Sequence, residues 1–266
     1  MQVQVIGCSG SQPGGGQACS GYLVSTSTTR VLVDCGFGVA ARLTGLLDPA
    51  DLDAIVVTHR HLDHSIDLLG LFRVLWAGEG VVAVHAAADV DDALLPMVHD
   101  HRRDDWERIF PWTTVSPGDT WTVGDIDLVA HASDHRVPTV SLRLQGPDGA
   151  SLAYSSDSGG DDELVACARD VDLLLAEATW QGRDDERRDD GHMTATRAAR
   201  MAVAAGARSL VLTHLRPELD PAVSRAEASA VYDAVVEVAR DGLAFTVESG
   251  RGIPVAVDPD REPDPQ

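Results

Sequence analysis

Apolar residues come along this chain in short bursts, mostly four to six residues long, separated by Gly, Pro, Asp and Ser. Residues 3–6 form the first apolar strand, and residues 7–20 a Gly/Ser/Pro loop. Residues 21–25 and 30–34 read as a hairpin around polar 26–29. Residues 54–58 (AIVVT) make an apolar strand that runs straight into His59, and 81–85 make another. A β pair is predicted at 120–123 and 126–130, and a hairpin at 139–145 and 150–155. Further strands follow at 171–176 (VDLLLA), 209–213, 244–248 and 252–257. Helical spacing appears at 39–47, 65–76, 161–169, 194–206 and 225–240, and residues 86–112 read as a helix-rich excursion. The order is strands then helix, twice over. It predicts two sheets packed face to face with helices outside, and functional groups on the strand-end loops.

Composition changes this picture in one respect. The 266 residues carry 42 acidic and 21 basic side chains, a net charge of −21, and every base is Arg. A surface this acidic repels a long polyanion, and no Arg run offers a phosphate track, so a small-molecule substrate is favoured over extended nucleic acid. The 44% hydrophobic content is that of a globular domain able to bury a core without staples. Cys8, Cys19, Cys35 and Cys167 show no C-x-x-C spacing and read as small buried hydrophobes. No signal-peptide pattern and no run of ~20 apolar residues is found. The expectation is a cytoplasmic protein with reduced thiols and no membrane contact. Residues 184–190 (DDERRDD) read as a solvated loop near the mouth of a site, and 258–266 as a frayed Pro/Asp-rich tail.

The chemistry is concentrated in Thr58-His59-Arg60-His61-Leu62-Asp63-His64. Three imidazoles and a carboxylate fall within six residues, directly after a strand. In an extended or tightly turning segment, positions 59 and 61 face one side while 63 and 64 turn to another, which serves two neighbouring cations. Neutral imidazole nitrogen and carboxylate oxygen are good Zn²⁺ ligands and also suit Mn²⁺ or Fe²⁺. The bland alternative is a solvated, His-rich turn.

T-H-x-H-x-D-H after a strand resembles the signature of the metallo-β-lactamase superfamily, and the resemblance runs through residues 1–257. Asp34-Cys35-Gly36 resembles the family's structural Asp-x-Gly turn. Asp134-His135-Arg136-Val137-Pro138 resembles its third motif, Tyr154-Ser155-Ser156-Asp157 its fourth and Leu212-Thr213-His214 its fifth. The fold implied is a single α/β domain, a four-layer αββα sandwich with two mixed sheets. The ligands implied are His59, His61 and His135 for one metal, and Asp63, His64 and His214 for the other, with Asp157 bridging. His131 is a rival to His135, but His135 directly precedes Val137-Pro138, as the family pattern requires. Two cations ~3.5–4 Å apart lower the pKa of a shared water, so a bridging hydroxide is the expected nucleophile.

Single residues weigh the branches of this family. Asp157 argues against the antibiotic-hydrolysing members, which place Cys there, and His61 against the flavo-diiron members, which place Glu. Ser65-Ile66-Asp67 departs from the Gly-Gly of glyoxalase-II-like members. The chain looks most like the tRNA 3′-processing endoribonuclease branch of phosphodiesterases. Glu177-Ala178-Thr179-Trp180 resembles that branch's H-E-A-T-F run, and His192-Met193-Thr194-Ala195 its H-x-T/S-A segment. The catalytic residues implied are Asp63, His192 and Glu177, with His192 at the leaving oxygen and Glu177 holding its ring. The structural alternatives are that His192 is a helix N-terminal polar residue beside a Thr194 cap, and that Glu177 is a buried hydrogen-bonder. Only 21 residues separate His135 from Asp157, too few for that branch's tRNA-binding arm. The function expected is therefore hydrolysis of a small phosphodiester, cyclic or nucleotide-derived, by a protein that the family implies is a homodimer. A lactonase or arylsulfatase, an RNA 3′-processing nuclease and a non-catalytic metal-binding sensor are the rivals. His85, His99 and His101 lie outside the motifs. Phe72, Trp76, Trp106, Phe110 and Trp112 read as core or interface rather than pocket wall.

Overall fold

The structure, a computed structural model, describes residues 1–182 and 191–253. The acidic run at 184–190, the C-terminal tail and most of the strand expected at 252–257 lie outside the described residues.

Two seven-stranded sheets account for the strand pattern. The first contains β1 (Gln2–Gly7), β2 (Gly21–Ser25), β3 (Arg30–Val33), β4 (Ala54–Val57), β5 (Ala83–Ala87) and β6 (Trp112–Val115). The second contains β7 (Thr120–Val123), β8 (Ile126–Ala132), β9 (Val140–Gln145), β10 (Ser151–Tyr154), β11 (Leu173–Glu177), β12 (Ser209–Thr213) and β13 (Val235–Val238). β14 (Ala244–Thr246) returns to pair antiparallel with β1 at the edge of the first sheet. Both sheets are mixed. β3 to β6 run parallel in one and β10 to β13 in the other, while the hairpins at 21–33 and 140–154 are antiparallel.

Helices cover the outer faces. α1 (Val39–Leu43), α2 (Leu62–Ser65), α3 (Leu68–Gly78), α4 (Val90–Leu94) and α5 (Arg103–Ile109) belong to the first half of the chain, and α6 (Asp162–Cys167), α7 (Ala195–Ala205) and α8 (Pro221–Ser229) pack on the second sheet. This is the four-layer αββα sandwich. Alternation along single strands shows how the layers are built. Leu173 and Leu175 of β11 enter the core between the sheets, whereas Leu174 and Ala176 face the core beneath the helices. A strand buried on both faces reads as a continuous apolar run, as residues 171–176 do. α7 lays an all-alanine face (Ala198, Ala199, Ala202, Ala205) on that second core. Thr194 caps its start by accepting from Arg197 N (3.1 Å), and Gly206 ends it in the left-handed region.

Two expectations need correction. Residues 225–240 are not one helix: α8 stops at Ser229, and β13 pairs in parallel with β12, placing Leu210 opposite Val236. The Val-rich stretch 235–238 fits a half-covered sheet edge better than a helix surface, and tertiary pairing overrides the helical spacing. The excursion also ends on a strand, since Trp112, its last residue, opens β6 against β5. Phe72, Trp106 and Phe110 are buried in the core, as expected.

The parallel strands matter for function. Asp34 follows β3, His59 follows β4, Asp157 follows β10, Glu177 ends β11 and His214 follows β12. All five leave from carboxyl-terminal strand ends, where loops from both sheets meet.

Candidate metal centre

Seven side chains converge in two groups around Asp157. In the first, His61 Nδ1 lies 3.1 Å from His59 Nε2 and 3.2 Å from His135 Nε2. Asp157 Oδ2 stands 3.5 Å from His59 Nε2 and 3.7 Å from His135 Nε2. In the second, His214 Nε2 lies 3.1 Å from Asp63 Oδ2 and 3.3 Å from Asp157 Oδ1. His64 Nε2 is 3.1 Å from Asp157 Oδ1 and 3.8 Å from Asp63 Oδ2. The two oxygens of one carboxylate thus face separate clusters, which is the geometry of a bridging ligand.

The donor set fits cations. Ligands ~2.0–2.1 Å from a tetrahedral ion stand roughly 3.3 Å apart, close to these separations. His64 Nε2 and Asp157 Oδ1 are buried and have no hydrogen-bond partner among the described residues. Such orphaned polar atoms are costly unless something else satisfies them. Charge agrees. Burial, reinforced by His64, pushes the His59 imidazole down to about 4, and burial together with His135 lowers His61. Burial would raise Asp63, but the His64 and His214 rings outweigh it and hold the carboxyl well below its usual range. Asp157 is likewise opposed by burial yet held low by His214, His64 and His59. For His64, burial is overcome by Asp157, Asp34 and Asp63, which hold its proton tightly. Ionised carboxylates and bare imidazoles are what a metal needs, and the carboxylates around His64 demand positive charge.

Outer partners orient these rings. His64 Nδ1 donates to Asp34 Oδ2 (2.8 Å), which also accepts from the Tyr154 hydroxyl (2.9 Å). Asp34 Oδ1 accepts from Thr58 N (2.8 Å). Asp34, Ser156 and His214 all have left-handed backbones, with φ of 60°, 52° and 54°. Non-glycine residues in that region cost energy and gather at functional sites. Ser11 N donates to Asp63 Oδ2 (2.8 Å), bringing the 7–20 loop against the second cluster. Gly36 is required by contact: a Cβ there would run into the Asp63 carbonyl oxygen. His135 Nδ1 donates to Gly191 O (2.9 Å).

His192 sits over the centre. Its Nδ1 donates to Glu177 Oε1 (2.9 Å) and lies 4.0 Å from Asp157 Oδ2; its side chain is 18% exposed. Glu177 is fully buried and accepts additionally from Ser158 N, Thr179 N and the Thr179 hydroxyl. A cleft of about 480 Å³ opens beside the centre, lined by His135, Arg136, Pro138 and Pro117 among others.

Each residue singled out in the sequence has a definite place. His59, His61, His135 and Asp157 form one potential metal group, and Asp63, His64 and His214 another. His131 is in neither: it lies on β8, opposite Ser141 of β9. His85 stacks on Trp121, and His99 and His101 stack on each other and line a separate cavity of about 530 Å³. The sequence reading missed Asp34 as the partner of His64, and also Tyr154, Thr179 and the Gly191 carbonyl. Asp34, Tyr154 and Thr179 each lay inside a quoted motif, but the motifs did not say which ring or carboxylate each would contact.

Fold and donor set together define a metallo-hydrolase of the metallo-β-lactamase fold. Residues 29–215 match the β-lactamase superfamily domain, and the chain belongs to that superfamily, in its ribonuclease Z-like branch. It is 30% identical over 255 residues to the probable metallo-hydrolase YhfI of Bacillus subtilis, covering 92% of this chain and 99% of that one. The crystal structure of YhfI superposes with a TM-score of 0.82 at 28% identity, over 91% of this chain and 97% of the other. Ribonuclease Z of Methanopyrus kandleri is 30% identical over 286 residues, covering 93% and 98% of the two chains. An uncharacterized Mycobacterium tuberculosis protein is 34% identical over 245 residues, 89% and 88% of the two chains. No helix among the described residues is long and apolar enough to cross a membrane.

Proposed function

We propose that this chain hydrolyses a small phosphodiester, cyclic or nucleotide-derived, at a two-metal centre held by the seven His and Asp side chains. The observation that carries this reading is the Glu177–His192 pair seated over Asp157. His192 commits its Nδ1 proton to Glu177, so proton exchange with substrate falls to Nε2. The group leaving a phosphodiester is an alkoxide that needs a proton, and His192, carrying a second proton on Nε2 as imidazolium, supplies it from the rim. Asp63, held ionised by its imidazole neighbours, is the carboxylate placed to take a proton from attacking water. Two divalent cations, when bound, supply Lewis acidity and lower the pKa of that water. Zn²⁺ suits the ligand set best, with Mn²⁺ or Fe²⁺ as alternatives. The cleft beside His135 is of small-molecule size.

The ribonuclease Z relatives support a second reading, a 3′-processing nuclease. Against it stand the −21 charge and the segment from His135 to Asp157, which holds the β9–β10 hairpin and no arm. We also propose a homodimer, which light scattering would test.

A leaving-group comparison discriminates. His192→Ala is expected to slow a cyclic nucleotide or alkyl phosphodiester by ~10²–10⁴-fold. It should slow bis-p-nitrophenyl phosphate far less, because p-nitrophenolate leaves without a proton. Equal losses on both would remove His192 from the acid role. Turnover of lactones or aryl sulfates with no phosphodiester activity would overturn the substrate class.

A further inference from the structure

The hydroxyl of Thr179 connects the second metal cluster to the catalytic pair. Thr179 Oγ1 has one proton, and the Glu177 carboxylate oxygen 2.7 Å away can only accept it. The hydroxyl must therefore act as acceptor toward His214 Nδ1, at 2.9 Å. That places a proton of the His214 ring on Nδ1, so Nε2, which donates to Asp63 Oδ2 (3.1 Å) while no cation is bound, is the nitrogen a cation would take. Nε2 is the atom that faces Asp63 Oδ2 and Asp157 Oδ1. The other oxygen of the same Glu177 accepts from His192 Nδ1 (2.9 Å). One buried carboxylate thus sets the tautomer of a metal ligand through Thr179 and orients the proposed acid directly. The adjoining residue closes the unit, because the Gly191 carbonyl accepts from Nδ1 of His135, in the first cluster.

We propose that Thr179 is a positioning residue that holds His214 in the tautomer a cation at the second cluster needs, and through Glu177 ties that cluster to His192. The inference rests on reading the second cluster as a cation site and is independent of the substrate. Outer partners of this kind are worth ~10–100-fold in metal affinity. Thr179→Val keeps the shape and removes the hydroxyl, leaving the buried Nδ1–H of His214 without its acceptor.

The test is competition of the full-length protein against a chromophoric chelator with Zn²⁺ alone, resolving the two binding steps. Thr179→Val should weaken one step by 10–100-fold and leave the other within about threefold. Thr179→Ser, which restores the hydroxyl, should return both steps to wild type. Two steps of wild-type affinity in Thr179→Val would overturn the proposal. Equal weakening in the Ser and Val variants would also do so, since shape rather than the hydroxyl would then matter. A variant-free measurement stands beside these: ¹⁵N chemical shifts of the His214 ring in wild-type protein should report a protonated Nδ1. An Nδ1 without a proton would overturn the assignment even if Thr179→Val fails to fold. Wild-type protein that binds a single equivalent of Zn²⁺ would instead sink the two-cluster reading on which the inference stands.

Discussion

The four cysteines illustrate how much of this protein is decided one residue at a time. All four are buried as free thiols. Burial pushes Cys19 and Cys167 up to about 12 and raises Cys8 and Cys35 well above the ordinary thiol range. The thiolate is the reactive form, so the native protein should be inert to Ellman's reagent at pH 8 and release four equivalents in guanidinium. Rapid reaction of any thiol in the native state would contradict this. Asp34 works in the opposite sense. Its sequence context marks a turn, but its value lies in contacts with Thr58, Tyr154 and His64, which are 24, 120 and 30 positions away. No local pattern encodes that set.

Element by element, the chain reads well where burial and periodicity agree. The apolar runs at 54–58 and 171–176 became β4 and β11, and the alanine-rich stretch at 194–206 became α7, with its cap and its terminal glycine. Thr194→Ala removes that cap and should cost about 1 kcal/mol, read as a lower urea midpoint at unchanged slope. The same helix start follows His192 by two residues, so cap and site are neighbours. Where the reading failed, at 225–240, helical spacing ran on into a segment that pairs with β12 at the sheet edge. A strand's partner lies elsewhere in the chain, and periodicity within one window does not contain it.

Across the molecule, the His/Asp cluster joins the two halves. Side chains after β4 meet side chains after β10 and β12, and the sheets are further tied by Tyr22 to Thr213 (2.6 Å) and Tyr154 to Asp34 (2.9 Å). Metal binding only to the folded state stabilises it by about 2.7 kcal/mol per site at 100-fold excess over Kd. In a domain of this size that is roughly 5–10 °C in Tm. Chelation, which removes both cations, should lower Tm by about twice that amount and abolish turnover together, and Zn²⁺ or Mn²⁺ should restore both. An unchanged Tm after verified metal removal would show that the clusters carry no folding energy.

Four of the clustered side chains, His59, His61, Asp63 and His64, were legible as a group because they share six residues at the end of one apolar strand, where local geometry alone brings them near. His135, Asp157 and His214 carried only motif resemblance. Their approach depends on the packing of one sheet on the other, which spans 151 positions between Asp63 and His214. The division of the Asp157 oxygens between two clusters and the proton placement through Glu177 and Thr179 belong to that packing. Strand periodicity reports which side of a sheet a residue faces. It carries no information on which atom of a distant ring lies within 3 Å, and hydrogen bonds that set tautomers act only at that range.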